Sequence, residues 1–450
     1  MKSSIAIVAN YNKTLFFKKI ADKLEAPQSE NSELKDAQLK GKGITVFWIC
    51  ISKTWYQRLL ADGVEESKIL YLPRSIVNNI STPELKYHYQ LNELIYSDRV
   101  FRHEPEFGEK YLITIQSYLR DFISTNQIKH IFGETTWAHE VLLNRMCLNE
   151  ADLDCHYLKP HTIRIPNQRF AFFEDEFESR FYEMASGEEK EWDFELKKPD
   201  YFHLNDQKNK LSTRLINLFR NVALAFSPEK HDREDPTQRL SRICFFSTKL
   251  LSEFNYYVYT FFVKTRSIND LPQRFWVYYL HKQPEASIDV VGRYFEDQYA
   301  NILRLARMLP DDCHLLVKEH SNAIGDRPYR FYQQVKELNR VDLIDEKADS
   351  FVLIDKAEKT VTVSGTVAYE AGLLGKPTLV FSRVFFSALP SVETVKTDNK
   401  EKASIQVFKK YLYKHSFEGV ISDPISDARC ISPENIQRVS QAFRQVIHND

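Results

Sequence analysis

Short runs of β-branched and aromatic residues alternate with stretches of helical pattern twice along this chain. Residues 4–9 and 44–50 belong to the first series, and residues 275–280 begin the second. Continuous apolar strands separated by helices are typical of parallel sheets that are covered on both faces. The alternation therefore predicts an α/β protein built from two Rossmann-like domains that face each other across a cleft.

The length of 450 residues also favours two domains, because one hydrophobic core rarely grows that large. We predict a first domain over residues 1–226 with a helix at 212–226, a linker or insert over 227–272, a second domain over 273–430 and a C-terminal helix over 431–450. The segment 227–236 has no apolar residue and is typical of an exposed linker. A loop that folds back would instead bring Asp232 into the cleft, and the sequence leaves this alternative open.

The composition excludes several classes of protein. Lys and Arg number 61 and Asp and Glu 62, so the chain has no overall charge that would attract nucleic acid. The six cysteines form no CxxC pair, which argues against a zinc site and favours a reducing cytoplasm. With 12 glycines and neither GxGxxG nor a P-loop motif, the commonest nucleotide-binding signatures are absent from the sequence.

The most informative motif follows a predicted strand of the second domain. Ser364, Gly365 and Thr366 are small residues at the strand exit, and a helix begins directly after them. Free N–H groups at a helix N-terminus attract phosphate, so this break predicts a phosphate site. Glu370 lies one turn into the helix, where its carboxylate could accept hydrogen bonds from ribose hydroxyls. An ordinary capped helix is the alternative reading.

Two further strand exits of the second domain carry polar side chains. The run Leu315–Asn322 delivers Lys318 and His320 to the carboxyl edge of the sheet, where His320 could donate a hydrogen bond to a leaving phosphate. Gln283 and Glu285 follow the first strand of this domain and could bind a base or a ribose. A surface histidine and a proline-containing turn are the simpler interpretations of these two segments.

The first domain offers two carboxylates at strand exits. Asp175 follows the aromatic strand at 169–173, and Glu134 lies at the exit of the strand at 130–134. A carboxylate that faces a cleft suits a general base or a nucleophile. We expect Asp175 to have this role, with Glu134 as the second candidate, although the acidic run around Asp175 could equally be a solvated surface.

Taken together, these motifs resemble the capsule polysaccharide biosynthesis family of bacterial glycosyltransferases, which includes β-Kdo transferases. The pieces that carry the resemblance are Leu280–Ser287, Leu316–His320, Val363–Thr366 with Glu370, and Gly375–Pro377. The resemblance implies a GT-B fold, a nucleotide-sugar donor on the second domain, a glycan acceptor over the first, and no metal. It favours transfer of Kdo from CMP-Kdo during capsule or lipopolysaccharide O-antigen synthesis.

Other functions remain open from the sequence. The Ser-Gly…Glu-Ala…Gly-Lys-Pro string is also similar to non-hydrolysing UDP-sugar 2-epimerases, and a UDP-sugar-dependent transferase or a non-catalytic glycan-binding protein would fit the same fold. We expect a cytoplasmic protein. Peripheral contact with the inner membrane would suit a lipid-linked acceptor, and the basic and aromatic segment 409–415 could provide it, although a solvated helix face is the simpler reading.

Overall fold

The computed structural model describes residues 3–26, 43–79, 87–184, 191–194, 196, 232–238, 242–395 and 402–449. The helix predicted at 212–226 lies outside these residues, as do residues 227–231 of the predicted linker. The strands are β1 Ser3–Val8, β2 Ile44–Cys50, β3 Ile69–Tyr71, β4 Ile128–Phe132, β5 His156–Thr162, β6 Arg169–Phe173, β7 Phe275–Tyr279, β8 His314–Lys318, β9 Val341–Ile344, β10 Lys359–Thr362, β11 Thr378–Val380, β12 Val392–Thr394 and β13 Ser416–Glu418.

Helices cover the sheets and connect most of the parallel strands. The helices are α1 Lys13–Glu25, α2 Lys53–Ala61, α3 Leu91–Ser97, α4 Pro105–Thr125, α5 Ala138–Asn149, α6 Arg242–Phe262, α7 Ala286–Asp289, α8 Gln298–Met308, α9 Tyr329–Lys336, α10 Ser350–Lys356, α11 Thr366–Leu373, α12 Ile405–Lys414 and α13 Pro433–Ile447. Within the described part of the chain, no helix is both long and apolar enough to cross a membrane.

Each domain is built on one sheet with the strand order of a Rossmann fold. The first sheet runs β13-β6-β5-β4-β1-β2-β3, and the second runs β12-β11-β10-β7-β8-β9. Strands β1 to β5 pair in parallel, as do all strands of the second sheet, whereas β6 and β13 are antiparallel. The predicted α/β class with two facing Rossmann-like domains, the GT-B architecture, is therefore confirmed.

Continuous apolar strands fill the centre of each sheet. Ile5, Ala6 and Ile7 of β1 are fully buried, and so is Val277 of β7. Burying both faces of a strand removes about 2 kcal/mol of unfavourable hydration for each large apolar side chain, which is why these runs lie at the centres of the sheets.

The C-terminal part of the chain returns to the first domain. Strand β13 pairs with β6, and α13 lays Phe443 against Phe132 with the ring centroids 4.5 Å apart. Helix α13 starts where the Ser432 side chain accepts the Asn435 N–H and Pro433 occupies the first turn. The second-domain segment was predicted to run to residue 430, whereas β13 already belongs to the first sheet.

The segment predicted as a linker or insert, 227–272, contains more regular structure than its composition indicated. Helix α6 spans 21 residues of it, and its Tyr259 packs in the core of the second domain. The carboxyl-terminal half of this segment therefore belongs to the second domain.

Charged side chains join the two domains beside the cleft. Asp289 of the second domain is buried, and its carboxylate lies 3.7 Å from Arg99 and 3.6 Å from Arg102 of the first. Nearby, Glu176 of the first domain pairs with Arg293 of the second at 3.0 Å. These contacts are ion pairs between the two domains.

Candidate functional site

A cleft of about 1290 Å³ lies between the carboxyl ends of the two sheets. Its lining includes the loops that follow β1 and β4 in the first sheet and β7 and β10 in the second. These are the strands where the order reverses in each sheet, and ligands of open α/β folds bind at such points. We call the first-domain lining the first wall and the second-domain lining the second wall.

The predicted phosphate site lies on the second wall. Ser364, Gly365 and Thr366 line the cleft where β10 ends and α11 begins. The N-cap residue of α11 is Gly365, which has no side chain to cap the helix. Its first N–H groups therefore remain available to an anionic ligand in the cleft.

A histidine that the sequence did not single out holds this break in shape. His281 Nε2 accepts the Ser364 N–H at 3.2 Å and lies 3.0 Å from Thr362 Oγ1. Burial, together with nearby positive charge, lowers the pKa of His281 to about 3, so its ring is neutral and Nδ1 carries the proton. His281 therefore stabilises the backbone at this break as a neutral hydrogen-bond acceptor.

Gly365 is required by the close packing of this break. A Cβ at this position would lie 2.8 Å from Thr362 Oγ1 and 3.5 Å from His281 Cε1. The neighbouring Ser364 side chain donates to the backbone oxygen of Ser287 at 2.6 Å. The Ser364 hydroxyl thus ties two loops of the second wall together, while the backbone at Gly365 and Thr366 stays open to the cleft.

Two predicted residues lie on the same wall beside this break. Glu370 is buried on α11 and lines the cleft one turn below the break. Glu285 also lines the cleft, and its carboxylate accepts the Ser287 hydroxyl at 3.1 Å. The structure therefore brings both carboxylates close to the predicted phosphate site.

The end of β8 supplies two more predicted residues. His320 lines the cleft, and its Nδ1 accepts the Asn322 N–H at 3.1 Å, so the neutral ring carries its proton on Nε2. Burial lowers the pKa of His320. Lys318 also lines the cleft, and its ammonium donates to the Glu346 backbone oxygen at 2.6 Å. Burial lowers the pKa of Lys318 as well, against the opposing effect of nearby carboxylates.

A buried carboxylate between these two residues fixes their loop. Glu319 accepts hydrogen bonds from Arg327 at 2.6 Å and from the Tyr332 hydroxyl at 2.7 Å. It also accepts the backbone N–H of His320 at 2.7 Å. The imidazole of His320 is thus presented from a rigid support.

The predicted binding residue Gln283 does not line the cleft. Its side-chain nitrogen donates to the Glu296 backbone oxygen at 3.1 Å, and its oxygen accepts from Gln298 at 2.7 Å. Both polar ends of the side chain are used inside the second domain, so the structure does not bring Gln283 together with the residues that line the cleft.

The first wall is built from ionised groups that are paired with each other. Glu134 lines the cleft, as predicted, and forms an ion pair with Lys13. Lys159 is almost fully buried, and its ammonium lies 2.5 Å from Glu178 and 3.0 Å from Thr135 Oγ1. The wall therefore carries two lysine–carboxylate pairs side by side.

These pairs keep the carboxylates ionised in spite of their burial. Burial alone would raise the pKa of Glu134, but the charges of Lys13 and Lys159 outweigh it and lower the pKa. For Glu178 the same opposition lowers the pKa to about 2. Burial lowers the pKa of His161 to about 4, so this ring is neutral at pH 7 and Lys159 is the cation that holds Glu178 ionised.

The loop after β5 reaches from the first wall to the second. The Tyr369 hydroxyl of α11 donates to the Ile165 backbone oxygen at 3.0 Å. Arg164, beside it, has a left-handed backbone with φ of 65° and lines the cleft. After the effects of burial, its charge is among those that lower the pKa of both Glu178 and His281. Arg164 therefore places positive charge between the two walls.

Asp175, the first choice for a catalytic carboxylate, does not line the cleft. Its oxygens accept the N–H of Phe177 at 2.8 Å, the N–H of Ser179 at 3.0 Å and the Ser179 hydroxyl at 2.8 Å. Because β6 is antiparallel to β5, the rule for carboxyl ends of parallel strands does not apply here. Asp175 stabilises its own turn, and that turn brings Glu178 to the cleft.

Asp232 also lies away from the cleft lining. It accepts the Ser52 hydroxyl at 2.9 Å and the Thr54 N–H at 3.2 Å, at the start of α2. The alternative that a folded-back loop carries Asp232 into the cleft is therefore wrong. Among the described residues, no group of His, Cys, Asp and Glu side chains could hold a metal ion.

The segment considered for membrane contact is engaged with the first domain. Lys409 pairs with Asp193 at 2.7 Å, and Lys410 lies 3.4 Å from Glu191. His415 is buried and pairs with Glu183 at 2.9 Å. These contacts use much of the charge that would otherwise face anionic headgroups.

Comparison with solved structures gives similarities at low identity. KpsC of Thermosulfurimonas dismutans, a β-Kdo 2,7 transferase, is 10% identical over 73% of this chain and 90% of that chain, with a TM-score of 0.37. The β-Kdo 2,4 transferase of the same KpsC is 12% identical over 70% of this chain and 87% of that chain, with a TM-score of 0.36. The UDP-GlcNAc 2-epimerase of Neisseria meningitidis is 12% identical over 100% and 99%, with a TM-score of 0.23. Nothing about function follows from similarities this weak.

A comparison of sequences is more informative for the second domain. No match to the chain was found among the curated proteins. Residues 244–418, from α6 to β13, match the model of the capsule polysaccharide biosynthesis protein family. This range includes the strand exits that carry Lys318, His320, Ser364 and Glu370. The resemblance to the capsule polysaccharide biosynthesis family is therefore confirmed over residues 244–418.

Proposed function

We propose that this protein is a glycosyltransferase of bacterial surface polysaccharide synthesis that moves a sugar from a nucleotide-sugar donor to a glycan acceptor. The observation that carries the proposal is the break between Val363 and Val367. It lies on a wall of the interdomain cleft, at the reversal point of the second sheet, and presents an uncapped helix N-terminus to that space.

In this proposal the second wall holds the donor. The phosphate meets the backbone of Gly365 and Thr366, and Glu370 accepts hydrogen bonds from the ribose. His320 Nε2–H donates to the phosphate as the bond to the sugar breaks, which stabilises the charge that develops on the leaving group. Lys318 supplies positive charge from the same strand end.

The acceptor enters over the first wall. Glu134, the one predicted carboxylate of the first domain that lines the cleft, is ionised and suited to accept a hydrogen bond from an acceptor hydroxyl. Arg164 offers a cation to any anionic group that lies between the walls. No metal ion is assigned a role, so activity in the presence of a chelator is the expected outcome.

The identity of the donor is the finer part of the proposal. The resemblance to the capsule family favours CMP-Kdo, and a lipid-linked acceptor would bring the enzyme to the cytoplasmic face of the inner membrane. Thermal unfolding with CMP, UDP and GDP tests the nucleotide, because a ligand that binds only the folded state raises the melting temperature. We expect CMP to give the largest rise. A rise with UDP alone would contradict the CMP-Kdo assignment, and no rise with any nucleotide would contradict the donor site.

Substitutions in the second wall test the assigned roles. We expect His320→Gln to lower kcat by about 100-fold, because a donor to the leaving group is lost, while CMP affinity changes little. We expect Glu370→Gln to weaken CMP binding. His314→Gln is the matched control, since His314 starts the same strand and pairs with Asp342 outside the cleft lining. Full activity in both His320→Gln and Glu370→Gln would refute the proposed function.

A further inference from the structure

The glycosyl transfer proposed above needs a group that takes the proton of the acceptor hydroxyl. Two carboxylates of the first wall are already tied to a lysine, since Glu134 pairs with Lys13 and Glu178 pairs with Lys159. Asp427, which also lines the cleft, pairs with Arg429 at 2.7 Å, and Asp423 accepts the Ser426 hydroxyl at 2.6 Å. A carboxylate in a close ion pair is a weak base because the cation stabilises its ionised form. The ion pairs therefore make Glu134 and Glu178 poor candidates for this proton transfer.

His161 differs from these carboxylates in its contacts. It lines the cleft from strand β5, two residues beyond Lys159, so the two side chains lie on the same face of the strand. Its Nδ1 is sealed from solvent and has no hydrogen-bond partner among the described residues. Nε2 is thus the ring nitrogen that can meet a ligand, and it lies 3.8 Å from Glu178 Oε1.

We propose that His161 is the general base of the transfer and that Glu178 is its positioning residue. The O–H bond of the acceptor hydroxyl breaks and its proton passes to Nε2. The electron pair left on oxygen forms the bond to the anomeric carbon of the donor sugar. The bond from that carbon to the donor phosphate breaks, and its electron pair leaves with the nucleotide. The imidazolium then faces the Glu178 carboxylate, which stabilises the new charge.

The electrostatic surroundings of His161 agree with this role. Burial keeps the imidazole neutral at pH 7, and with the ring proton on Nδ1 the Nε2 atom can accept a proton. The charged groups that act on it are the carboxylates of Glu178 and Glu134, which favour the protonated ring, and the ammonium groups of Lys159 and Lys13, which oppose it. Because a base of low pKa is effective only if its protonated form is stabilised during the reaction, the nearby carboxylate is an essential part of the arrangement.

The inference rests on the proposed function, and its test separates the two. Wild type, His161→Gln and His156→Gln are assayed with CMP-Kdo and a glycan acceptor, and CMP affinity is measured by calorimetry. His156 is the matched control, since it is an exposed residue at the start of the same strand and does not line the cleft. We expect His161→Gln to lose roughly 100-fold or more in kcat with unchanged CMP affinity, and His156→Gln to match wild type.

Chemical rescue distinguishes a base from a structural residue. We expect free imidazole to restore part of the activity of His161→Gly, while His156→Gly gains nothing. If His161→Gln keeps wild-type kcat, or if imidazole restores no activity to a folded His161→Gly, the assignment of His161 is overturned and the proposed function stands. If wild type binds neither CMP, UDP nor GDP and transfers no sugar, both proposals fail together.

Discussion

At the break between Val363 and Val367 the second wall of the cleft presents neutral dipoles, whereas the first wall presents ionised side chains that are paired with each other. On the second wall, Ser364 and Gly365 are shaped by the neutral imidazole of His281, and the helix N-terminus behind them is uncapped. On the first wall, Lys159 and Glu178 form a buried ion pair. The same fold has thus built two polar surfaces with different electrostatics.

This difference in electrostatics indicates which chemical groups of a ligand each wall can bind. Fixed N–H dipoles stabilise an anion without requiring a countercharge to move, which suits a phosphate that gains charge as it leaves. On the first wall, each ionised side chain is largely neutralised by the opposite charge of its partner. The first wall can therefore offer directed hydrogen bonds to an uncharged hydroxyl. A donor on the second wall and an acceptor on the first wall therefore agree with the electrostatics of each.

The largest effect is expected from breaking the buried pair of the first wall. Lys159→Met leaves the Glu178 carboxylate buried without its main cation, and we expect a loss of about 3–5 kcal/mol in the free energy of unfolding. The double variant Lys159→Met with Glu178→Gln should recover much of this loss. Chemical denaturation with urea measures both.

An exposed lysine pair provides the control for that experiment. Lys129 pairs with Asp154, and their side chains are 52% and 76% exposed. We expect Lys129→Met to cost at most about 1 kcal/mol, since exposed pairs contribute little. Equal stability of Lys159→Met and Lys129→Met would show that the first wall does not depend on its buried charges.

The next effect concerns the backbone of the second wall. An added Cβ in Gly365→Ala would overlap Thr362 Oγ1, so the break must move away from its support. Because small displacements of a binding group weaken catalysis steeply, we expect kcat/KM to fall by about 100-fold. Gly372→Ala is the control, since its Cβ would lie 2.7 Å from Val392 Cγ2, away from the cleft lining. If both variants lose only thermal stability and keep kcat/KM, the break does not bind the donor.

The sequence predicted the second wall far better than the first. The runs 44–50 and 169–173 are strands with the predicted bounds, because continuous β-branched and aromatic residues have few other ways to be buried. In parallel strands the carboxyl ends share one edge, and the structure places Ser364, Gly365 and His320 on the cleft at that edge.

The ion pairs of the first wall join residues that are far apart in the sequence, so the local sequence pattern does not reveal them. Lys159 and Glu178 are 19 positions apart, and they meet because β6 turns back antiparallel to β5. A polar residue inside a strand pattern normally indicates a solvent-facing side, so Lys159 and His161 gave no signal of a buried site. The prediction for Asp175 failed for the same reason, since it assumed a parallel strand.

Asp289 lies at the boundary between the two domains, beside Arg99 and Arg102. Burial raises the pKa of Asp289 to about 6, although Arg102 and Arg99 oppose this effect. A carboxyl with a raised pKa in the folded state contributes stability that is fully present below its unfolded pKa and is lost as the pH rises through 6.

The loss of this stability with rising pH leads to a testable prediction. We expect the unfolding free energy of wild type, relative to Asp289→Asn, to fall by about 2 kcal/mol between pH 4 and pH 7. Glu296→Gln is the control, because Glu296 is a more exposed carboxylate 3.5 Å from the same Arg102. A constant difference between wild type and Asp289→Asn across this range would show that the boundary carboxyl does not titrate as described.

The smallest effect tests whether the two walls act on the same ligand. Arg164 belongs to the first domain, yet its charge influences His281 on the second wall. If its guanidinium meets the donor phosphate or a sugar carboxylate, Arg164→Gln should weaken CMP-Kdo binding by about tenfold, which is the usual loss for one charge-assisted hydrogen bond. Arg180→Gln is the control, since Arg180 is 53% exposed beside Asp175 and outside the cleft lining. Calorimetry that finds equal affinity for wild type and both variants would mean that the dipoles of the second wall hold the donor without help from the first.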